Sequence, residues 1–180
     1  MEVGRAADRL AAVLVDGTGR AVAWLTLAMV LITVAVVVLR YGFDLGWIAV
    51  QESVTYLHAL VFMLAAAWTL SEDAHVRVDI VYRARGPRYR AAVDLAGSLL
   101  FLVPFCLYWC VVAWDYVASS WSLLEGSREP GGLPFVYLLK TLILAMPALV
   151  LIQCLAWVLR NGLFLAGSQE ALPTAESAER

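Results

Sequence analysis

Residues 21–39 read AVAWLTLAMVLITVAVVVL, a run of 19 without a charge. At roughly 1.5 Å of rise per residue it spans about 28 Å as a helix, close to the thickness of a bilayer's hydrocarbon core. A core helix of a soluble protein is rarely so long and so uniformly apolar, so the run reads as a membrane span. Three further stretches repeat the pattern: Ser53–Leu70, with His58 inside it, Leu95–Trp114, and Thr141–Leu159, which Leu133–Leu139 extends across Lys140. Composition agrees: of 180 residues 62% are hydrophobic and 16% charged, against about 45–50% and about 25% in soluble domains. The fold class is therefore an all-α membrane protein with four transmembrane helices, over about 21–39, 48–70, 95–116 and 134–159, in a domain of residues 21–165. The first run exceeds the roughly 7–15 apolar residues of a signal-peptide core. No small-residue cleavage site follows at Leu39, Arg40 and Tyr41, so this span is expected to stay as an anchor.

The basic residues give an orientation. Arg5, Arg9 and Arg20 precede the first span, Arg77, Arg83, Arg85, Arg88 and Arg90 lie between the second and third, and Arg160 and Arg180 follow the fourth. Arg40, Arg128 and Lys140 fall on the opposite side. Placing the N- and C-termini in the cytoplasm puts ten of the 13 basic residues inside and three outside, as the positive-inside rule demands. Trp24, Trp47, Trp68, Trp114, Trp121 and Trp157 fall near span ends, at the headgroup level Trp prefers. Net charge is −2, which offers no basic face for nucleic acid.

Outside the spans, residues 1–20 form a cytoplasmic segment. Val3, Ala7, Leu10 and Leu14 recur at helical spacing, as in an interfacial helix, and Gly17 and Gly19 are expected to break it before the first span. The loop Ser71–Asp94 is the most basic stretch. Its arginines set topology and attract anionic headgroups, and Ile80, Val81 and Tyr82 suit a short in-plane helix. Between the third and fourth spans, Glu125-Gly126-Ser127-Arg128-Glu129-Pro130-Gly131-Gly132 is too rich in Gly and Pro for a helix and reads as a specific turn. Pro134 suits the first turn of the fourth helix. The tail, 166–180, is small and polar, with the composition of a disordered cytoplasmic end.

The second span carries a polar stripe. Gln51, Thr55 and His58 follow i, i+4, i+7 spacing, with Glu52 and Tyr56 on the adjoining strip. Such residues avoid lipid and face protein or water. Glu52 lies near the outer end of its helix, at the depth of Lys140 and near Arg40, so an ion pair with one of those two is expected. A membrane haem needs two histidines at similar depth, and His58 stands alone in its span, so no cofactor is read. Cys106, Cys110 and Cys154 lie in apolar runs with no further metal ligands nearby and suit small apolar fillers. Nothing in the residues calls for an enzyme.

Arg40-Tyr41-Gly42-Phe43 ends the first span, Trp47 and Glu52 open the second, His75-Val76-Arg77-Val78-Asp79 follows it, and the Glu125–Pro134 loop precedes Lys140 and Pro147. In this order, over roughly residues 20–165, the chain resembles the small permease subunit of TRAP transporters, the DctQ-like component of tripartite ATP-independent periplasmic systems. It departs from that pattern at Gln51-Glu52, where the family often has two adjacent acids, and at Leu64-Ala65-Ala66, where it often has glycine. The resemblance implies a large permease subunit carrying a sodium-coupled substrate site and a periplasmic solute-binding protein that delivers an organic acid, in the bacterial inner membrane. The small subunit would scaffold the large one, bind no substrate and use no ATP.

On this reading Arg40, Trp47, Gln51, Glu52, Thr55, Tyr56, His58 and Lys140 form a subunit interface or intramembrane polar network. Glu125, Ser127, Arg128, Glu129, Pro130, Gly131 and Gly132 form the periplasmic docking loop, and His75, Arg77 and Asp79 anchor the cytoplasmic side. The competing reading is a self-sufficient four-helix proton-coupled transporter, which needs an acid deep in a span; the first span has none and Glu52 is near an end.

Overall fold

The computed structural model describes residues 8–76 and 80–167. These are almost wholly helical, with no strand among them. The first span lies in α1, Asp8–Phe43, the second in α2, Ile48–Ser71, the third in α4, Pro87–Ser122, and the fourth in α5, Val136–Leu165. A short α3, Ile80–Arg83, lies between α2 and α4.

Three of the four long helices outrun their apolar stretches. α1 and α4 have 36 residues each and α5 has 30, so at about 1.5 Å per residue they measure roughly 45–54 Å against a core of about 30 Å. Hydropathy marks only the part of a helix at membrane depth, whereas the backbone ladder continues until a cap or breaker stops it. In α4 the start is Pro87 in the first turn, behind an extended Gly86, the position where a missing N–H costs nothing. The second half of the expected cytoplasmic loop is therefore helix. Its first half holds α3, and Tyr82 donates from its hydroxyl to Asp94 at 2.6 Å.

The expected break at Gly17 and Gly19 does not occur. α1 runs through both, with a π-helical turn at Ala12–Asp16. Thr18 donates its hydroxyl to the carbonyls of Leu14 at 2.7 Å and Val15 at 3.0 Å, satisfying acceptors in that widened turn. Gly19 is a packing glycine: a Cβ there would stand 2.5 Å from Trp68 Cδ2 and 2.6 Å from Trp68 Cβ. The close approach of α1 to α2 thus uses the residue that propensity alone reads as a breaker. At the other end Pro134 precedes α5, which starts at Val136 behind Phe135.

The helices form an open row, not a closed bundle. α1 packs on α2 and, at its π-helical turn, also on α5; α2 packs on α5 and α5 on α4, and among the described residues α4 touches neither α1 nor α2. α5 is central: 28% of its apolar window is buried, against 6% for α1 and for α2. The core is small, built on Val15, Ala67, Cys106 and Val150. Residues 1–7, the first part of the expected interfacial segment, and 168–180, most of the expected tail, lie outside the described residues.

Candidate functional site

Two connections meet at one end of the row, residues 44–47 between α1 and α2 and residues 123–135 between α4 and α5. α1 closes with Asp44 in the left-handed region at φ 53, and the N–H of Leu45 reaches the Leu39 carbonyl at 3.0 Å. A short acid tolerates that conformation better than most side chains. Arg40 is exposed in the last turn of α1, where a cation suits the negative end of the helix dipole. Trp47 is extended and 54% exposed, and its carbonyl takes the N–H of Val50 at 3.1 Å and of Gln51 at 3.2 Å. These bonds start α2 and set Glu52 in its opening turns.

Glu52 does not meet Lys140 or Arg40 in an ion pair. One carboxylate oxygen accepts from the Ser127 hydroxyl, and the other accepts the Leu133 N–H at 2.7 Å. Within the loop, Ser127 N–H donates to the Leu133 carbonyl at 2.9 Å, Glu129 N–H to Ser127 Oγ at 3.1 Å, and Gly132 N–H to the Glu129 carbonyl at 3.0 Å. The turn needs two glycines for different reasons. Gly131 has φ +80, a region other residues avoid. Gly132 has no room for a side chain, since a Cβ would stand 2.6 Å from Ser127 Cβ and 2.8 Å from Glu52 Oε1.

Lys140 ties down the other flank. Its Nζ lies 2.5 Å from Glu125 Oε2, which also accepts from Ser120 Oγ at 2.6 Å. The ammonium stands 4.0 Å from the centre of the Tyr116 ring, a cation–π contact. Hydrogen bonds from Lys140 first and Ser120 second hold the Glu125 carboxyl below its ordinary value. Beside this pair, Trp121 Nε1 donates to Thr141 Oγ1 at 2.8 Å and its ring meets Tyr137 edge-on at 4.8 Å. The depth argument placed Glu52 and Lys140 at one level, and they do grip the same loop. Loop residues, however, stand between them as partners. Sequence reasoning missed Ser120, in the last turn of α4, and Tyr116, one turn before it, and the Leu133 amide, which no side-chain pattern announces.

The polar stripe of α2 divides. Glu52 turns to the loop. Tyr56 turns toward α5, where it lines a cavity of about 260 Å³ with Leu60, Phe135, Leu138, Leu139 and Leu142, and its buried hydroxyl has no hydrogen-bond partner among the described residues. Gln51 is half-buried. Thr55 and His58 are exposed and make no hydrogen bond among the described residues; the His58 ring lies 6.2 Å from that of Phe62, itself 69% exposed. At the loop, Arg128, Glu129, Pro130 and Gly131 form an exposed tip. His75 is exposed at the opposite end of α2, and its companions Arg77 and Asp79 lie outside the described residues.

A sequence model of the DctQ component of tripartite ATP-independent periplasmic transporters matches residues 29–162. That stretch takes in α2, α4, both ends of the loop, Glu52 and Lys140. The chain belongs to this family. A comparison with curated proteins and one with solved structures found no match. As a DctQ component the chain is the small permease subunit of a TRAP transporter and a multi-pass membrane protein, and its family is one of transporter components, not enzymes.

Proposed function

We propose that this small permease subunit seats the large permease subunit along the outer face of α2 and presents the 123–135 loop to a periplasmic solute-binding protein. The observation that carries the reading is the loop itself, fastened on one flank by Glu52 and on the other by Lys140, with Arg128, Glu129, Pro130 and Gly131 left exposed. A surface held in shape before contact loses little entropy on binding. Thr55 and His58, uncovered in a spanning helix, support the second contact, because polar side chains at membrane depth favour protein over lipid. Sodium coupling and recognition of an organic acid then reside in the partners. The ten-to-three split of basic residues supports an inner-membrane orientation with cytoplasmic termini, in which His75, Arg77 and Asp79 anchor the inner side. The self-sufficient transporter is the weaker reading, since both Glu52 oxygens are already engaged.

The test is affinity purification of the full chain from native membranes in mild detergent, followed by mass spectrometry. A stoichiometric large membrane protein is expected. Thr55→Trp with His58→Trp should reduce its recovery, whereas Arg128→Glu should leave recovery intact and weaken docking of the binding protein. Recovery of the chain alone, active in proton-coupled transport, would overturn the proposal.

A further inference from the structure

At the end of the row opposite the loop, α1, α2 and α5 enclose a partly open polar cavity of about 240 Å³. Its room comes from small residues, Ala11, Ala12 and Ala156, and from the π-helical turn of α1. By volume it holds roughly eight waters or one small polar group.

A side-chain amide on α5 lines it. Gln153 is 6% exposed, lies within an otherwise apolar run, and its amide makes no hydrogen bond among the described residues. One turn on, Trp157 closes the wall, and its indole N–H, without a partner among the described residues, is sealed off from solvent-sized space. A side-chain amide this far from bulk water is normally satisfied, so Gln153 marks a place for an acceptor atom. The other walls carry acid: Asp16, which accepts from Ser71 Oγ at 3.3 Å, and Glu72. Asp8 and Arg160 stand at its margin, 3.3 Å apart.

These groups select among ligands. A simple cation suits Asp16 and Glu72 but leaves the N–H donors of Gln153 unmet. A simple anion suits the donors but faces three carboxylates against one guanidinium. A zwitterion with an anionic oxygen cluster beside an ammonium answers both. Depth narrows the class further. The cavity lies where the apolar run of α1 begins and those of α2 and α5 stop, at Ala21, Leu70 and Leu159, which is headgroup level. We infer that this cavity binds the headgroup of a phospholipid bearing a primary ammonium next to its phosphate, as in phosphatidylethanolamine. A phosphate oxygen accepts from the Gln153 amide on the Arg160 side, and the ammonium donates to Asp16 and Glu72. A quaternary headgroup has no N–H to give those carboxylates, and a glycerol headgroup brings no positive charge.

The experiment is native mass spectrometry of the full chain in detergent, titrated with phosphatidylethanolamine, phosphatidylglycerol and phosphatidylcholine of identical acyl chains, and with inorganic phosphate. The ethanolamine lipid should be retained about tenfold more tightly than the other two, the scale of one charge-assisted hydrogen bond. Gln153→Met, which keeps side-chain length and removes the amide, should lower retention of the ethanolamine lipid about tenfold. Glu72 is exposed at the rim, so Glu72→Gln leaves the fold intact and should shrink the preference for ethanolamine over glycerol headgroups. Equal retention of the three lipids would overturn the inference, as would inorganic phosphate binding that the ethanolamine lipid fails to displace. A preference unchanged in both variants would overturn it too.

Discussion

Gly132→Ala tests the loop's construction most directly. The new Cβ would stand 2.6 Å from Ser127 Cβ and 2.8 Å from Glu52 Oε1, with Ser127 Oγ nearer still. The Glu52 carboxylate can swing away. Ser127 Cβ cannot, because it is bonded to a backbone whose N–H is held by the Leu133 carbonyl at 2.9 Å. Relief requires Ser127 to move, which withdraws its hydroxyl from Glu52 and its oxygen from the Glu129 N–H. Overpacking of this kind costs about 1–3 kcal/mol, so the opening equilibrium of the loop should rise about 5- to 150-fold. The Leu133 amide, bonded to Glu52 at 2.7 Å, is the reporter, read by hydrogen exchange. Gly131→Ala is the contrast. Its Cβ meets nothing within 4 Å, and its cost of about 1–2 kcal/mol comes from φ +80. In a Ser127→Gly background the Gly132→Ala cost should fall, because the clashing atoms are gone, while the Gly131→Ala cost should persist. Unchanged Leu133 exchange in Gly132→Ala, or an equal cost in both backgrounds, would refute the steric account.

Three further outcomes are expected. Glu125 has a folded-state carboxyl below its ordinary value, so its tie to Lys140 contributes above the ordinary carboxylate range and is lost as pH falls through the lowered value. NMR of the labelled carboxyl should show that midpoint, and Lys140→Met should raise it. Gly19→Val should destabilise the chain by about 1–3 kcal/mol through its contact with Trp68, whereas Gly17→Ala, with nothing within 4 Å, should gain up to about 1 kcal/mol; thermal melts in detergent compare the two. Glu52→Ala should loosen the loop and weaken assembly with the large subunit and binding protein, leaving the binding protein's own substrate affinity unchanged, as read by co-purification and by titration of the isolated binding protein.

Much of the fold was legible because burial in lipid is a one-dimensional signal. Apolar runs from Ala21, Ser53, Leu95 and Thr141 locate four helices before any contact is known. Their true ends were not legible, since α1 and α4 continue as ordinary helix beyond the bilayer and stop only at local caps such as Asp44 and Gly86. Glycine misled at Gly19 because its reason lies across space, in Trp68. The site was legible to the level of depth: Glu52, Lys140 and the loop were placed together. Partner identity was not, because it depends on which atoms of a Gly- and Pro-rich turn project inward, and the decisive donor is the backbone N–H of Leu133.

The open row explains why one spanning helix carries polar residues that its own fold leaves uncovered. In a closed bundle Thr55 and His58 would face neighbouring helices and find hydrogen bonds there. Here, among the described residues, α4 packs on α5 and the short α3 and reaches neither α1 nor α2, so α2 has a free flank. The outer surface of α1, in contrast, exposes Trp24, Leu31 and Val34, side chains that lipid solvates well. The two flanks therefore ask for different surroundings, lipid on α1 and protein on α2. The same α2 that offers the polar flank also carries Glu52, so whatever fixes α2 fixes the loop. A partner seated on Thr55 and His58 would thus sit on the helix that positions Arg128 and Glu129, joining the membrane contact and the outer contact through one rigid element about seven residues long between Glu52 and His58.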